Sequence, residues 1–194
     1  MVSRPSRPAG PAPNDAALND TALAYLARYA ATEAGLTRAL GRAVDRWTRR
    51  ALTDGAETDA VAAQAAQARD VVRTVVARLA ALGAVSDAAF AASRTRRLVR
   101  GGRSRRTVAA HLAGKGVGAE VARAALAAEE TDELAAALVL ARRRRVGPFR
   151  VGDGDPLREL AMLARAGFSR AVANEALRMP HDEAEAVVIR LRRG

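Results

Sequence analysis

The side chains that could do chemistry in this sequence are arginines, and they are concentrated in two stretches. Between residues 88 and 119 the chain has eight basic side chains and no acidic one. Guanidinium and ammonium groups bind phosphates and carboxylates through charge and directed hydrogen bonds. This first cluster therefore predicts an anion-binding surface. Its members are Arg94, Arg96, Arg97, Arg100, Arg103, Arg105, Arg106 and Lys115.

A second cluster follows an apolar segment, and four acidic residues within positions 129–133 precede it. Those acids could neutralise part of the cluster or face a basic partner themselves. Two simpler explanations compete with binding: cations compensate the dipole at a helix C-terminus, and charged faces are often merely solvated. Dipole compensation needs only one or two charges, whereas eight unrelieved cations repel one another and lower stability. We therefore assign both clusters to a partner-binding surface. The second consists of Arg142, Arg143, Arg144 and Arg145.

The overall charge points to a polyanionic partner. The formal net charge is +11 and the sequence pI is about 11.5, which fits nucleic acid, an anionic membrane surface or an acidic protein. Only Lys115 among the 32 basic residues is lysine. A coding bias towards arginine and alanine explains much of that ratio. The clustering of the arginines, rather than their identity, carries the prediction.

Several functional classes are excluded by what the sequence lacks. Without cysteine there is no disulfide, thiolate metal site or cysteine nucleophile, and the protein suits the cytoplasm. His111 and His181 are too far apart to suggest a metal site. The segment GKG at 114–116 lacks the spacing of a P-loop. No apolar run approaches the ~20 residues of a membrane span. We expect no enzyme, metal, cofactor or membrane association.

Hydrophobic spacing predicts helices over residues 21–31, 32–50 and 59–82. In the first, Leu23, Leu26 and Ala30 are predicted to face inward. No segment alternates with period two, so we expect an all-α protein. The proline-rich residues 1–20 are predicted to form a disordered tail.

The aromatic residues allow two interpretations. Trp47 lies among arginines, where an indole can stack on nucleic-acid bases. A ring that closes the edge of an alanine-rich core is the simpler interpretation, and we favour it. Tyr25 and Tyr29 lie at helical spacing and are predicted to pack. Leu82 is predicted to lie on the apolar face of the third helix.

An internal repeat predicts the architecture. Residues 104–126 align without gaps on residues 155–177 and match at the helix caps, core leucines and turn glycines. Each copy is predicted to be a helix pair joined by a glycine turn. In the first copy, Arg105 and Arg106 follow the Ser104 cap and are predicted to be exposed.

The helix preceding each pair repeats too, and a fainter copy begins the chain, where Thr32 and Leu40 keep the spacing of Ser104 and Leu112. Together these copies predict three tandem three-helix modules in an elongated, curved right-handed or solenoid-like body. The predicted segments are a tail at 1–20, modules at 21–84, 85–128 and 129–179, and a C-terminal helical extension at 180–194.

The order of these motifs resembles the RecX family of regulators of bacterial recombination. The resemblance rests on GAVSDAAFA at 83–91, GRSRR at 102–106, LAGKGV at 112–117 and LAMLARAGF at 160–168. It covers about residues 23–177. No single motif is diagnostic, because each is a helix boundary, but their order across three tandem modules is specific.

The resemblance implies a partner, a RecA recombinase filament on single-stranded DNA. A family member is expected to lie in the groove of that filament and to restrain its recombinase, ATPase and coprotease activities in DNA repair and the SOS response. The tandem repeat itself predicts that the protein is a monomer. A free-standing DNA- or RNA-binding protein that needs no recombinase is the alternative. The family pattern does not divide the arginines between RecA and DNA.

Overall fold

The structure, a computed structural model, describes residues 9–129 and 133–193. The chain forms two compact units, Met1–Asp87 and Ala88–Gly194. Throughout the described residues the regular secondary structure is helical and contains no strand, which confirms the all-α prediction. The helices are α1 (Asp15–Leu26), α2 (Glu33–Thr53), α3 (Thr58–Ala81), α4 (Asp87–Arg100), α5 (Arg105–Lys115), α6 (Ala119–Ala128), α7 (Glu133–Arg144), α8 (Pro156–Arg165), α9 (Arg170–Arg178) and α10 (His181–Arg193), with a 3₁₀ turn at Gly147–Phe149.

The first unit is built around the amphipathic face of α2. Leu36, Leu40 and Val44 recur every four residues along this helix and are fully buried, as their spacing predicts. Thr32 caps the helix, because its hydroxyl accepts a hydrogen bond from the Gly35 N–H at 2.9 Å. Helices α1 and α3 pack on this face. Their buried residues include Leu18, Ala22, Ala65, Ala68, Val72, Val75, Val76 and Leu79.

The predicted start of the first helix is wrong. Helix α1 begins at Asp15, and Asn14 Oδ1 caps it by accepting a hydrogen bond from the Ala17 N–H at 3.0 Å. The buried face of α1 also differs from the predicted one, because Leu18 and Ala22 are buried while Leu23 is 48% exposed. Ala30 lies beyond the helix and is exposed. The predicted tail is correspondingly shortened: residues 1–8 lie outside the described residues, and those from 15 onward are helical.

The aromatic residues of this unit behave in two ways. Trp47 is half-buried against the core, and its Nε1–H donates to the Gly10 carbonyl at 2.9 Å, which agrees with the packing interpretation. Tyr25 also packs on the core, but Tyr29 is 56% exposed. Leu82 is 74% exposed because α3 ends at Ala81. The Tyr29 ring still contacts the Tyr25 ring, with centroids 5.2 Å apart, so Tyr29 packs on its neighbour outside the core. The packing prediction is wrong for Leu82.

The second unit is built around α7. Every residue from 135 to 141 is buried, so this helix is enclosed on all sides rather than along one stripe. Helices α8, α9 and α10 and the 3₁₀ turn contact it. Four of the seven enclosed residues are alanine, and such small side chains let neighbouring backbones come close. The arginines of the second cluster begin where this buried segment ends.

The helix-pair repeat is confirmed in its details. Ser104 caps α5 by accepting a hydrogen bond from the Thr107 N–H at 3.2 Å, and Asp155 caps α8 by accepting one from the Leu157 N–H at 2.9 Å. Gly116 and Gly167 follow these helices with φ angles of +87° and +98°. The core leucines at the matching positions, Leu112 and Leu163, are fully buried. The repeat alignment therefore identified equivalent positions.

The second unit holds both copies of the repeat together with α10. The predicted boundary between the modules at 85–128 and 129–179 falls inside this unit and remains a prediction. Within the described ranges no helix combines the length and apolarity needed to cross a membrane.

Two glycines near the end of α5 should respond oppositely to substitution. Gly116→Ala should cost about 1 kcal/mol of unfolding free energy, because a Cβ disfavours its left-handed conformation. Gly114→Ala should gain about 0.5–1 kcal/mol, because Gly114 is helical and has open space around it. Urea unfolding of both variants is the measurement. Equal changes in the two would contradict the helix end assigned here.

Candidate functional site

Gly102 brings the first arginine cluster against α7. It follows the end of α4, is buried, and has a φ angle of +77°. A Cβ on Gly102 would lie 2.9 Å from the Leu140 backbone nitrogen and 3.1 Å from the Ala136 carbonyl oxygen. Only glycine allows this turn to lie so close to another helix's backbone. Arg103 is thereby placed beside the C-terminal half of α7.

The end of α8 is tied to the start of α5. The hydroxyls of Ser104 and Thr107 both donate to the Ala166 carbonyl oxygen, at 2.8 and 2.9 Å. Carbonyls at a helix C-terminus lack partners within the helix, so these hydroxyls satisfy one of them. Gly167 lies against the same two side chains, where a Cβ would collide with Ser104 Oγ. This contact fixes the position of Arg165, the last residue of α8.

These contacts assemble a cavity that we call the arginine pocket. Its volume is about 280 Å³. Four arginines line it together with small and apolar residues, and none of the four forms an ion pair with another residue in the described ranges. The two sequence clusters therefore meet at one site, and Arg165 joins them. The lining residues are Gly102, Arg103, Leu140, Arg143, Arg144, Met162, Arg165 and Ala166.

Sequence reasoning missed Arg165. It stands apart from both clusters, and a cation in the last turn of a helix is ordinarily explained by the helix dipole. One feature of the sequence could have identified it. Arg165 lies just before the glycine turn of the second repeat copy, and the first copy overlaps the basic stretch at 88–119. The approach of α8 to α5, which makes Arg165 part of the pocket, depends on tertiary contacts.

The other predicted cations of the first cluster lie outside the pocket. Arg96, Arg97 and Arg100 are exposed on α4, and Arg106 and Lys115 are exposed on α5. These five residues remain candidates for partner contacts on a wider basic surface.

Arg94 is half-buried and differs from its neighbours in having a partner. Its Nε–H donates to His111 Nε2 at 3.1 Å, which requires an unprotonated nitrogen. Burial lowers the pKa of His111 below its ordinary value of 6.5, and the charges of Arg94, Lys115 and Arg103 lower it further. The imidazole is therefore held neutral and serves as an acceptor for Arg94.

Arg105 does not match its predicted exposure. It is half-buried, and its Nη2 donates to the Leu126 carbonyl at 2.8 Å, near the end of α6. Its backbone N–H donates to Glu133 Oε1 at 3.3 Å. The predicted exposure is therefore wrong for Arg105, whose guanidinium holds α5 against α6.

The second cluster is also divided. Arg142 pairs with Glu185 of α10 at 3.1 Å, so a distant acid neutralises it. Arg145 is exposed and ends α7 with a φ angle of +57°. Arg143 and Arg144 remain, and both line the pocket. Of the acids predicted to neutralise this cluster, Glu130 and Asp132 lie outside the described residues.

A buried carboxylate fixes the connection between α7 and α8. Glu159 is 7% exposed, and its oxygens accept hydrogen bonds from Arg150 Nε at 2.8 Å, Arg150 Nη2 at 2.7 Å and the Gly147 N–H at 3.1 Å. The Arg150 hydrogen bonds hold the pKa of Glu159 below its ordinary value of 4.5, although burial acts to raise it. No sequence pattern predicted this clamp, which joins the two helices that carry three of the pocket arginines.

Comparison with known proteins decides the family. The family described as RecX, second three-helix domain, matches residues 86–126, which span α4, α5 and most of α6. The regulatory protein RecX of Myxococcus xanthus is 40% identical over 166 residues, which cover 82% of this chain and 83% of that protein. The chain belongs to the RecX family.

Other RecX proteins match a shorter part of the chain. The regulatory protein RecX of Agrobacterium fabrum is 39% identical over 108 residues, covering 54% of this chain and 58% of that protein. The one from Mycobacterium marinum is 40% identical over 110 residues, covering 55% and 64%. Membership of the RecX family confirms the resemblance found in the helix-boundary motifs. All three relatives are named as regulators.

Alanine substitutions at Arg105 and Arg106 should distinguish an arginine that stabilises the fold from one that does not. Arg105→Ala should lower the unfolding free energy by about 1–2 kcal/mol, because the Leu126 carbonyl loses a charged donor. Arg106→Ala should change it by less than about 0.5 kcal/mol, because the residue is exposed. Thermal unfolding by circular dichroism measures both. Similar losses in the two variants would contradict the assigned role of Arg105.

The Glu159 clamp should make the second unit sensitive to acid. A carboxyl whose pKa is depressed in the folded state stabilises that state above its unfolded pKa, and the contribution is lost as pH falls through the folded value. Glu159→Gln should therefore destabilise the protein at pH 7, and the difference from the parent should shrink as pH falls from about 5 towards 3. Urea midpoints across this pH range are the measurement. If the urea midpoints of Glu159→Gln and the parent differ by the same amount at every pH, the contribution of Glu159 to stability comes from packing and not from its charge.

Proposed function

We propose that this RecX-family chain is a non-enzymatic regulator that binds a RecA filament on single-stranded DNA in its helical groove and restrains its recombinase, ATPase and coprotease activities. The observation that carries the proposal is the arginine pocket, where cations from both predicted clusters meet without an ion-pair partner among the described residues. The relatives support it through their name, regulatory protein RecX. The protein acts as a monomer in the cytoplasm.

The surface of the second unit suits a ligand made of both DNA and protein. Exposed arginines on α4 and around the pocket offer charge to phosphates. Val151 and Leu157 are 79% and 77% exposed on the connection before α8 and in its first turn. Such side chains gain free energy when a protein surface covers them. A filament presents both kinds of surface together, whereas bare DNA presents mainly phosphate.

The competing function is binding of DNA or RNA without a recombinase. The same arginines favour it, because the affinity of a cationic surface for bare nucleic acid comes mainly from phosphate charge. The dependence of affinity on salt separates the two functions, because salt screens charge and leaves apolar burial in place.

Binding should weaken with salt more steeply for bare DNA than for the filament. If the basic surface neutralises about four phosphates of single-stranded DNA, a fourfold rise in salt should lower affinity roughly fifty-fold. The filament should lose less, because apolar contacts contribute to its affinity. Fluorescence anisotropy with labelled DNA, with and without RecA, measures both slopes. Equal steep slopes would favour the plain nucleic-acid-binding function.

A charge-reversal pair provides the matched control for this experiment. Arg143→Glu with Arg144→Glu should weaken filament binding and relieve inhibition of RecA ATPase. Arg170→Glu with Arg178→Glu changes the charge equally on exposed positions of α9 that do not line the pocket. Loss of inhibition in both pairs to the same extent would show an effect of net charge rather than of this site.

A further inference from the structure

We infer that the arginine pocket is a binding site for a compact polyphosphate, a ligand that carries two or more adjacent phosphoryl groups. This inference goes beyond the proposed function, because it requires neither a recombinase nor a DNA strand. It rests on the charge, shape and rigidity of the pocket.

The charge of the pocket is uncompensated within the described residues. Arg103, Arg143, Arg144 and Arg165 surround one cavity, none pairs with a described acid, and no carboxylate is among the lining residues. Leu140 and Met162 form an apolar part of the wall. An apolar wall lowers the local dielectric constant, which strengthens both the repulsion among the guanidiniums and their attraction for an anion. A multiply charged anion would remove the repulsion.

The arrangement of the four arginines favours a compact ligand over an extended one. They come from three separate segments, namely the α4–α5 turn, the end of α7 and the end of α8, and converge on about 280 Å³. A phosphodiester in a strand carries a single negative charge, and its neighbours lie along a line. Arg96, Arg97 and Arg100 are exposed on one turn of α4 outside the pocket, where they can contact the phosphates of a strand. Convergence of four cations instead matches the charge density of a pyrophosphate group, which arginine forks bind through paired hydrogen bonds.

The backbone positions that carry the four arginines are fixed by contacts that do not involve them. Gly102 lies on the α7 backbone, and the Ser104 and Thr107 hydroxyls hold the Ala166 carbonyl. The Glu159 clamp holds the connection between α7 and α8. A site whose framework is set before the ligand arrives loses less conformational entropy on binding. Arg165 is the best residue to test, because it is exposed at the end of its helix and makes no described ion pair.

Adjacent phosphoryl groups occur in two sources, free nucleoside polyphosphates and the 5′-triphosphate end of an RNA strand. Inorganic pyrophosphate carries the shared chemistry and is the primary probe. ATP and a 5′-triphosphorylated oligoribonucleotide, each competing against pyrophosphate, then identify the source. The unphosphorylated oligonucleotide controls for contacts with the strand itself.

Titration calorimetry of the full chain with pyrophosphate, at constant ionic strength, tests the inference. We expect saturable binding of one pyrophosphate and a rise in the thermal midpoint, because a ligand that binds only the folded state stabilises it. Arg165→Ala should weaken binding about tenfold, the loss expected for one charged hydrogen-bonding partner. Arg170→Ala removes the same charge outside the pocket and should leave the affinity within about twofold.

Arg143→Ala is the second pocket variant, and it keeps the test decisive if Arg165→Ala alters the helical circular dichroism. Absence of pyrophosphate binding, or equal weakening by Arg165→Ala and Arg170→Ala, would overturn the inference. RecA ATPase inhibition is measured on the same variants. Pyrophosphate binding without RecA inhibition would reject the proposed function and support the polyphosphate site. RecA inhibition without pyrophosphate binding would support the proposed function and reject the polyphosphate site.

Discussion

The second unit depends on the close approach of the Gly102 turn to the backbone of α7. With a Cβ only 2.9 Å from the Leu140 nitrogen, any other residue would push the α4–α5 turn outward. Ala136 and Leu140 are themselves buried, so α7 is packed against other elements and cannot simply move away from the turn. Arg103 reaches Arg143 and Arg144 only because this contact is made. The steric demand of one glycine position thus determines where the charge of the protein is concentrated.

The arginines of this unit have two different roles, and each of the two sequence clusters contains arginines of both roles. Some act within the fold, where their guanidiniums meet a carbonyl, an imidazole or a carboxylate. Others have no described ion pair and converge on one cavity. The first kind includes Arg94, Arg105, Arg142 and Arg150, and the second consists of Arg103, Arg143, Arg144 and Arg165.

Local signals in the sequence were sufficient for the helices of the repeat. The cap at Ser104, the left-handed Gly116 and the buried Leu112 are each determined within one or two helical turns, so their spacing predicts them. The start of α1 was missed because Asn14 and Asp15 were assigned to a polar, proline-rich tail, although both residue types favour a helix N-terminus. Leu18, a main contact of α1 with the core, lies in the omitted part of the helix, so the predicted inward face lacked it.

The candidate site could be predicted only in part, because its assembly depends on contacts between distant segments. Charge density identified both clusters, which contain three of the four arginines that line the pocket, namely Arg103, Arg143 and Arg144. It could not show that Arg105 bonds to Leu126, that Glu185 neutralises Arg142, or that Arg165 joins the pocket. Each of these depends on where another helix lies, and periodicity within one helix carries no information about that.

The hydrogen bonds from Ser104 and Thr107 to Ala166 also bear on how the chain folds as it is made. Their partners are 62 and 59 residues apart, so at 5–20 residues per second the carbonyl is synthesised roughly 3 to 12 s after the hydroxyls. Until then the buried Ser104 lacks its acceptor, and the first helix pair remains incomplete. Repeats in a solenoid can fold one after another, because each contacts only its neighbours. Here the later copy completes the earlier one, so a nascent chain ending before α8 would expose an unfinished core to chaperones and proteases.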